Sequence, residues 1–82
     1  MIQIHVKLFA LLRDRAGVSE VTLELPDRST VAAAVEQLMR QVPAVRDLMR
    51  SVAYAVNRSY TSADTILNDG DELAVIPPVS GG

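Results

Sequence analysis

The residues of this chain that could do chemistry stand together at one end. Ile76-Pro77-Pro78-Val79-Ser80-Gly81-Gly82 passes from a short apolar run into two prolines and then two glycines. Prolines cannot continue a hydrogen-bonded ladder and hold an extended, polyproline-like backbone, so residues 77–82 are expected to leave the folded part as a stiff stalk. Six extended residues reach roughly 20 Å at about 3.3 Å each. Gly81 and Gly82 add no side-chain bulk, so a carboxylate on Gly82 would enter a channel too narrow for any other residue. With a reference pKa of about 3.5 that group is an anion at neutral pH, and it resists nucleophiles until an energy source converts it into a mixed anhydride. The chain has no glycine-rich phosphate loop, since Gly17, Gly70 and Gly81-Gly82 stand far apart, so activation is expected from a separate adenylating enzyme. Without cysteine the chain has no sulfur nucleophile of its own, and any sulfur must be delivered to the activated end.

Other constellations are missing. The single histidine, His5, alternates in register with Gln3 and Lys7 opposite an apolar stripe, the position of a solvated or sheet-packed side chain rather than of a general base. Asp69, Asp71 and Glu72 cluster at a turn, where Asp and Gly are expected anyway, so no metal site is expected. Catalysis by the chain's own side chains is therefore disfavoured. Eight basic against ten acidic residues give a net charge of −2, which leaves no basic excess for a run of phosphates. Phe9, Tyr54 and Tyr60 are too few and scattered for base stacking, so nucleic acid is not an expected partner. The longest apolar runs, Leu8 to Leu12 and Val52 to Val56, fall far short of the roughly 18 residues needed to span a bilayer. No secretory signal pattern precedes Ile2, so a cytoplasmic location is expected.

The elements that must hold the stalk follow from periodicity. At 82 residues the chain has room for one core. Ile2, Ile4, Val6 and Leu8 alternate with polar residues as in a strand with one buried face. Phe9 to Arg15 loses that alternation, and a turn of helix before Gly17 is expected. Val21, Leu23 and Leu25 form a second strand closed by Pro26-Asp27. Ser29 and Thr30 are both suitable N-caps for a helix whose stripe is Val31, Val35, Leu38 and Val42, and Pro43 ends it. Ala44 to Arg50 reads as a short packing segment and Val52 to Val56 as a third strand. A turn at Asn57-Arg58-Ser59 leads to a short strand about Tyr60, and Asn68-Asp69-Gly70 precedes a last strand from Leu73 to Ile76. The order predicts an α+β, β-grasp (ubiquitin-like) fold, a mixed sheet of four to five strands crossed by one main helix over residues 1–76, with 77–82 as the tail. A ferredoxin-like order would need a second full helix where the polar region from Asn57 to Asp71 stands.

Leu8-Phe9-Ala10 followed by Arg13, the Ala55-Val56-Asn57 strand end, Asp69-Gly70-Asp71-Glu72 and the closing Pro-Pro-Val-Ser-Gly-Gly together resemble the MoaD/ThiS family of ubiquitin-like sulfur carriers, in particular its molybdopterin synthase small subunits. The resemblance runs over essentially the whole length, and the tail is its most specific part. It implies a non-catalytic sulfur-donor subunit of a sulfurtransferase. An E1-like (MoeB-like) enzyme would use ATP to adenylate Gly82, and a persulfide sulfur donor would convert the adenylate to a thiocarboxylate. The tail would then enter a MoaE-like large subunit and give its sulfur to cyclic pyranopterin monophosphate. This chain would itself bind no cofactor and would work in a hetero-oligomer. Gly82 would be the reacting residue with Gly81 its slender neighbour. Phe9, Tyr60, Ile76, Pro77, Pro78, Val79 and Ser80 would face the partner, with Ile76 standing where an aromatic residue is common in the family. Arg13 also matches a family position and is assigned no role, while Asn57 and the Asp69 to Glu72 turn are expected to support the fold and the tail exit. Carriers for thiamine, cysteine or tungsten cofactor assembly, and a ubiquitin-like modifier conjugated through Gly82, are the alternatives. Lys7, the sole lysine, makes self-polymerising tags improbable.

Overall fold

The computed structural model describes residues 1–78. Five strands form one mixed sheet: β1 (Ile2–Leu8), β2 (Glu20–Leu25), β3 (Ala53–Val56), β4 (Ser59–Thr61) and β5 (Glu72–Ile76). Their spatial order is β2-β1-β5-β3-β4, with β1 and β5 parallel and the other pairs antiparallel. A short helix, α1 (Ala10–Ala16), follows β1; the main helix, α2 (Val31–Gln41), follows β2 and runs into a 3₁₀ helix over Pro43–Ser51. This is the expected β-grasp arrangement, with the final strand inserted at the centre of the sheet.

Alternation decides which face of the sheet is covered. Ile4 and Val6 of β1, Leu23 of β2 and Leu73 and Val75 of β5 are fully buried and meet Val31, Ala34 and Leu38 of α2 in one core. Leu12 of α1 and Val45 of the 3₁₀ helix close its end. The period of 3.6 places Leu12 inward, and its neighbour Leu11, about 100° away around the helix, is left half exposed. No buried polar or charged side chain occurs among the described residues.

The two N-cap candidates divide their tasks. The Thr30 hydroxyl accepts from the Ala33 N–H at 3.3 Å, whereas the Ser29 hydroxyl donates to the Pro26 carbonyl at 2.6 Å and so fixes the preceding turn. The remaining free amides at the start of α2 go to a segment that periodicity leaves unassigned. Val31 N–H donates to the Thr65 carbonyl at 2.9 Å and Ala32 N–H to the Ala63 carbonyl at 3.0 Å. The polar stretch between β4 and β5 thus satisfies the unpaired donors that every helix N-terminus leaves. It also anchors itself through Leu67, which is buried in the core. Pro43 stops α2 at Gln41, but the segment after it is a nine-residue 3₁₀ helix, longer at both ends than the expected packing segment, and it buries Val45 and Met49.

A two-residue loop, Asn57-Arg58, joins β3 to β4, with Val56 paired to Ser59 across it. Both loop residues have positive φ, 49° and 71°, as a type I′ hairpin requires. Asn57 suits that conformation, and its side chain also ties the hairpin to β5. Its Nδ2 donates to Asp71 Oδ1 at 2.9 Å, and its Oδ1 accepts from the Glu72 N–H at 3.0 Å. Asp71 Oδ2 in turn accepts from the Asn68 N–H at 2.7 Å, and Asp69 Oδ1 accepts from the Gln3 N–H at 2.8 Å. The acidic cluster is therefore occupied in holding turns together. It supports the fold and holds the start of β5, whose far end releases the tail. Asp71 precedes the first residue of β5 and the chain leaves at Ile76, a strand of five residues away, roughly 15 Å at about 3.3 Å per residue.

Replacing Asn57 by Ala removes two hydrogen bonds and places a Cβ residue without a polar tip in the left-handed region. The expected loss is about 2 kcal/mol, read from the urea midpoint. Asn57→Gly keeps the backbone conformation cheap and should lose only the hydrogen-bond part, so a negligible loss for Asn57→Gly would contradict the role given to the side chain.

Candidate functional site

The open face of the sheet, opposite α2, carries the other half of each alternation. Register places Lys7 beside Ala74, Ala74 beside Ala55, and Ala55 beside Tyr60, so these four side chains cross the sheet in one row from β1 to β4. Two alanines at the centre make a low floor. Ala55 is buried without belonging to the core cluster, and it lies on the open face. The result is a trough of about 360 Å³ lined by Lys7, Phe9, Ala55, Arg58, Tyr60, Glu72, Ala74 and Ile76. Tyr60 is 77% exposed and Phe9 42%.

A larger groove, about 690 Å³, adjoins it where the chain leaves the sheet. Phe9, Ala10 and Leu11 form one wall, Leu48, Arg50 and Ser51 of the 3₁₀ helix the other, and Ile76, Pro77 and Pro78 run along it. The walls are held together by Arg15, whose Nη1 donates to the Ala44 carbonyl at 3.3 Å and to Asp47 Oδ1 at 3.2 Å. Phe9 and Ile76 belong to both grooves and so form the ridge between them. Phe9 reaches that place because it continues the extended backbone one residue beyond buried Leu8, with φ −122° and ψ 154°. Ala10 then turns the chain sharply with φ +50°, a conformation that costs a non-glycine residue roughly 1 kcal/mol. The turn ends the strand there and leaves the phenyl ring on the open face.

The expected partner-facing residues are thus divided by the structure. Phe9 and Ile76 meet, Pro77 and Pro78 extend the groove they begin, and Tyr60 sits apart on β4, across the trough and not at the stalk base. Val79, Ser80, Gly81 and Gly82 lie outside the described residues. Periodicity missed Leu11, Leu48, Ala55, Ala74 and Arg58. Leu11 carried a signal, since two adjacent leucines cannot both fit the narrow buried stripe of a short helix. The alanines carried none.

Charges around the trough are mostly satisfied. Lys7 Nζ lies 3.7 Å from Glu72 and 3.9 Å from Glu20. Among the described residues no group of three His, Cys, Asp or Glu side chains is placed to hold a metal ion, and no helix is long and apolar enough to cross a membrane. What the site can do chemically is bind a complementary apolar surface and present whatever follows Pro78.

Comparisons with known proteins agree with that geometry. The molybdopterin synthase sulfur carrier subunit of Chlamydomonas reinhardtii is 40% identical over 98% of this chain and 99% of its own length. The protein of the same name from Arabidopsis thaliana is 38% identical over 99% of this chain and 84% of its own. SAMP1, a small archaeal modifier protein from Haloferax volcanii, superposes with a TM-score of 0.91 at 30% identity, covering 98% of this chain and 99% of that one. A chain of the complex of subunits 1 and 2 of molybdopterin-converting factor from Helicobacter pylori shares the fold, with a TM-score of 0.71 at 20% identity over 99% of this chain and 100% of that one. A model of the ThiS family matches residues 6–82, which is nearly the whole chain and includes both terminal glycines, and the chain therefore belongs to the ThiS family.

Proposed function

We propose that this chain is the sulfur carrier of molybdopterin synthesis and works in the cytoplasm as the small subunit of a two-subunit synthase. The observation that carries the reading is the exit of Pro77-Pro78 from the central strand along an apolar groove, in a chain whose own side chains assemble no catalytic centre among the described residues. Whole-length relatives named as molybdopterin synthase sulfur carrier subunits support the same assignment. A MoeB-like enzyme transfers AMP from ATP to the Gly82 carboxylate with release of pyrophosphate. The outer sulfur of a persulfide donor then attacks the adenylate and expels AMP to give an acyl disulfide, and a second thiol cleaves the S–S bond, so that a thiocarboxylate is left on Gly82 and a disulfide on the donor. Phe9, Tyr60, Ile76, Pro77, Pro78, Val79 and Ser80 seat the chain on the large subunit, while Gly81 and Gly82 pass into its active site and give the sulfur to cyclic pyranopterin monophosphate. Two such transfers complete a dithiolene. This chain contributes docking, reach and the reacting atom, and the large subunit contributes the catalytic side chains.

The test is the intact mass of the chain after incubation with the adenylating enzyme, ATP and a persulfide donor. Exchange of one oxygen for sulfur adds about 16 Da. No gain, with an enzyme active on a control carrier, would remove the carrier chemistry. A second reading is favoured by the likeness to SAMP1: attachment of Gly82 to lysines of other proteins. Ser-Gly-Gly remnants on cellular lysines, without sulfur incorporation, would select it.

A further inference from the structure

Arg58 occupies a position that the hairpin would fill more cheaply with another residue. The second loop position of a type I′ turn has φ > 0, here 71°, and glycine is the residue that adopts it freely. An arginine there carries a conformational cost with no return inside the chain. Arg58 is exposed and makes no ion pair or side-chain hydrogen bond among the described residues. It nevertheless lines the trough with Phe9, Tyr60, Ala74 and Ile76. The other charges of that trough, Lys7 and Glu72, are paired with each other at 3.7 Å. The trough therefore offers a partner an apolar floor, an exposed tyrosine and one cation left over, and Tyr and Arg are the residue types enriched where binding energy concentrates.

We infer that Arg58 is a specificity-determining residue of the open face, held in a strained turn so that its guanidinium receives a carboxylate of the docking large subunit. This rests on the sulfur-carrier reading for the identity of the partner. A planar guanidinium pairs a carboxylate through two parallel N–H···O bonds, a geometry that lysine cannot reproduce. The hairpin lock made by Asn57, Asp71 and Glu72 fixes the loop from which Arg58 projects, so less freedom is lost when the pair forms.

The experiment measures thermal unfolding of the free chain and its affinity for the large subunit of the same organism, at 20 mM and 500 mM salt, for wild type, R58G, R58K and R58E. R58G should raise Tm by about 4 °C, because the left-handed strain of roughly 1 kcal/mol is relieved. The same variant should bind about tenfold more weakly at low salt, and R58E about a hundredfold. R58K should fall between wild type and R58G, and the differences should shrink at 500 mM salt. A variant that is more stable yet binds less well is the signature of a residue kept for its partner. If wild type binds and R58G and R58E bind equally well, Arg58 is an idle surface cation and the inference is overturned while the carrier reading stands. If wild type itself does not bind, the carrier reading fails and the role of Arg58 fails with it.

Discussion

Removal of Gly81 and Gly82 should abolish sulfur transfer while leaving the fold untouched. The truncated chain ends at Ser80, two extended residues or about 7 Å short of the original reach. Misplacement of a reacting group by 1 Å can cost about a hundredfold, so a displacement several times larger should put transfer below detection. The new terminal residue also carries a Cβ into a passage proposed to admit only glycine. Nothing in the core is lost, because the buried cluster ends at Val75 and the last described contacts of the chain are those of Pro77 and Pro78 with the groove. Tm should accordingly stay within about 2 °C of the full chain, since substitutions away from the core change stability by about 0.5 kcal/mol or less. The functional readout is rescue of a strain lacking the small subunit, paired with intact mass after treatment with adenylating enzyme, ATP and persulfide donor. Full rescue by the truncated chain would end the carrier reading. Gly82→Ala separates reach from bulk: it keeps the length and adds one methyl group, so weakened but measurable transfer would assign the defect to the width of the channel.

The elements that hold this tail were legible in proportion to how local their causes are. Ile2, Ile4, Val6 and Leu8 declare β1 by alternation, and Val31, Val35 and Leu38 declare α2 by their spacing, because each pattern needs only its own segment to be read. The order of these elements, punctuated by the turns at Asn57-Arg58-Ser59 and Asn68-Asp69-Gly70, supplied the rest of the topology. What periodicity could not show is what depends on partners distant in the chain. The stretch from Ala63 to Leu67 looks like featureless polar loop, yet its carbonyls complete the N-terminus of α2, and backbone hydrogen bonds leave no mark on side-chain pattern. Ala55 and Ala74 are neutral to any periodicity, and they become the floor of a trough only when β5 is inserted between β1 and β3. Arg58 shows the limit most directly. Asn57 announces a turn, but the residue after it would have to be glycine to announce the type, and the arginine hides the conformation it adopts.

Leu73→Ala should be a severely damaging truncation of the core. Leu73 lies on β5, paired with Val6 of β1 on one side and Val56 of β3 on the other, and it has no solvent exposure. Two strands and a helix that pack through one side chain cannot all move to refill the space it leaves, so the substitution costs the lost transfer energy together with a cavity, about 3 to 4 kcal/mol. A domain of this size has roughly 4–12 kcal/mol of stability, so a large share of it goes at once. At about 4–8 °C per kcal/mol for so short a chain, Tm should fall by roughly 15 °C or more. Leu11→Ala is the matched control, with the same atoms removed from a side chain that is 51% exposed, and it should move Tm by less than about 3 °C. A small shift for Leu73→Ala, comparable with that of Leu11→Ala, would show that the sheet is not organised around β5. The placement of that strand matters beyond stability. Its inner face carries Leu73 and Val75 into the core, its outer face carries Ala74 and Ile76 into the two grooves, and its end releases Pro77 and Pro78. Loosening β5 therefore disturbs the docking surface and the origin of the stalk together. In the Leu73→Ala chain, affinity for the large subunit should fall in step with the folded fraction as temperature rises, whereas in the Leu11→Ala chain any loss of affinity should persist at temperatures where the chain is fully folded.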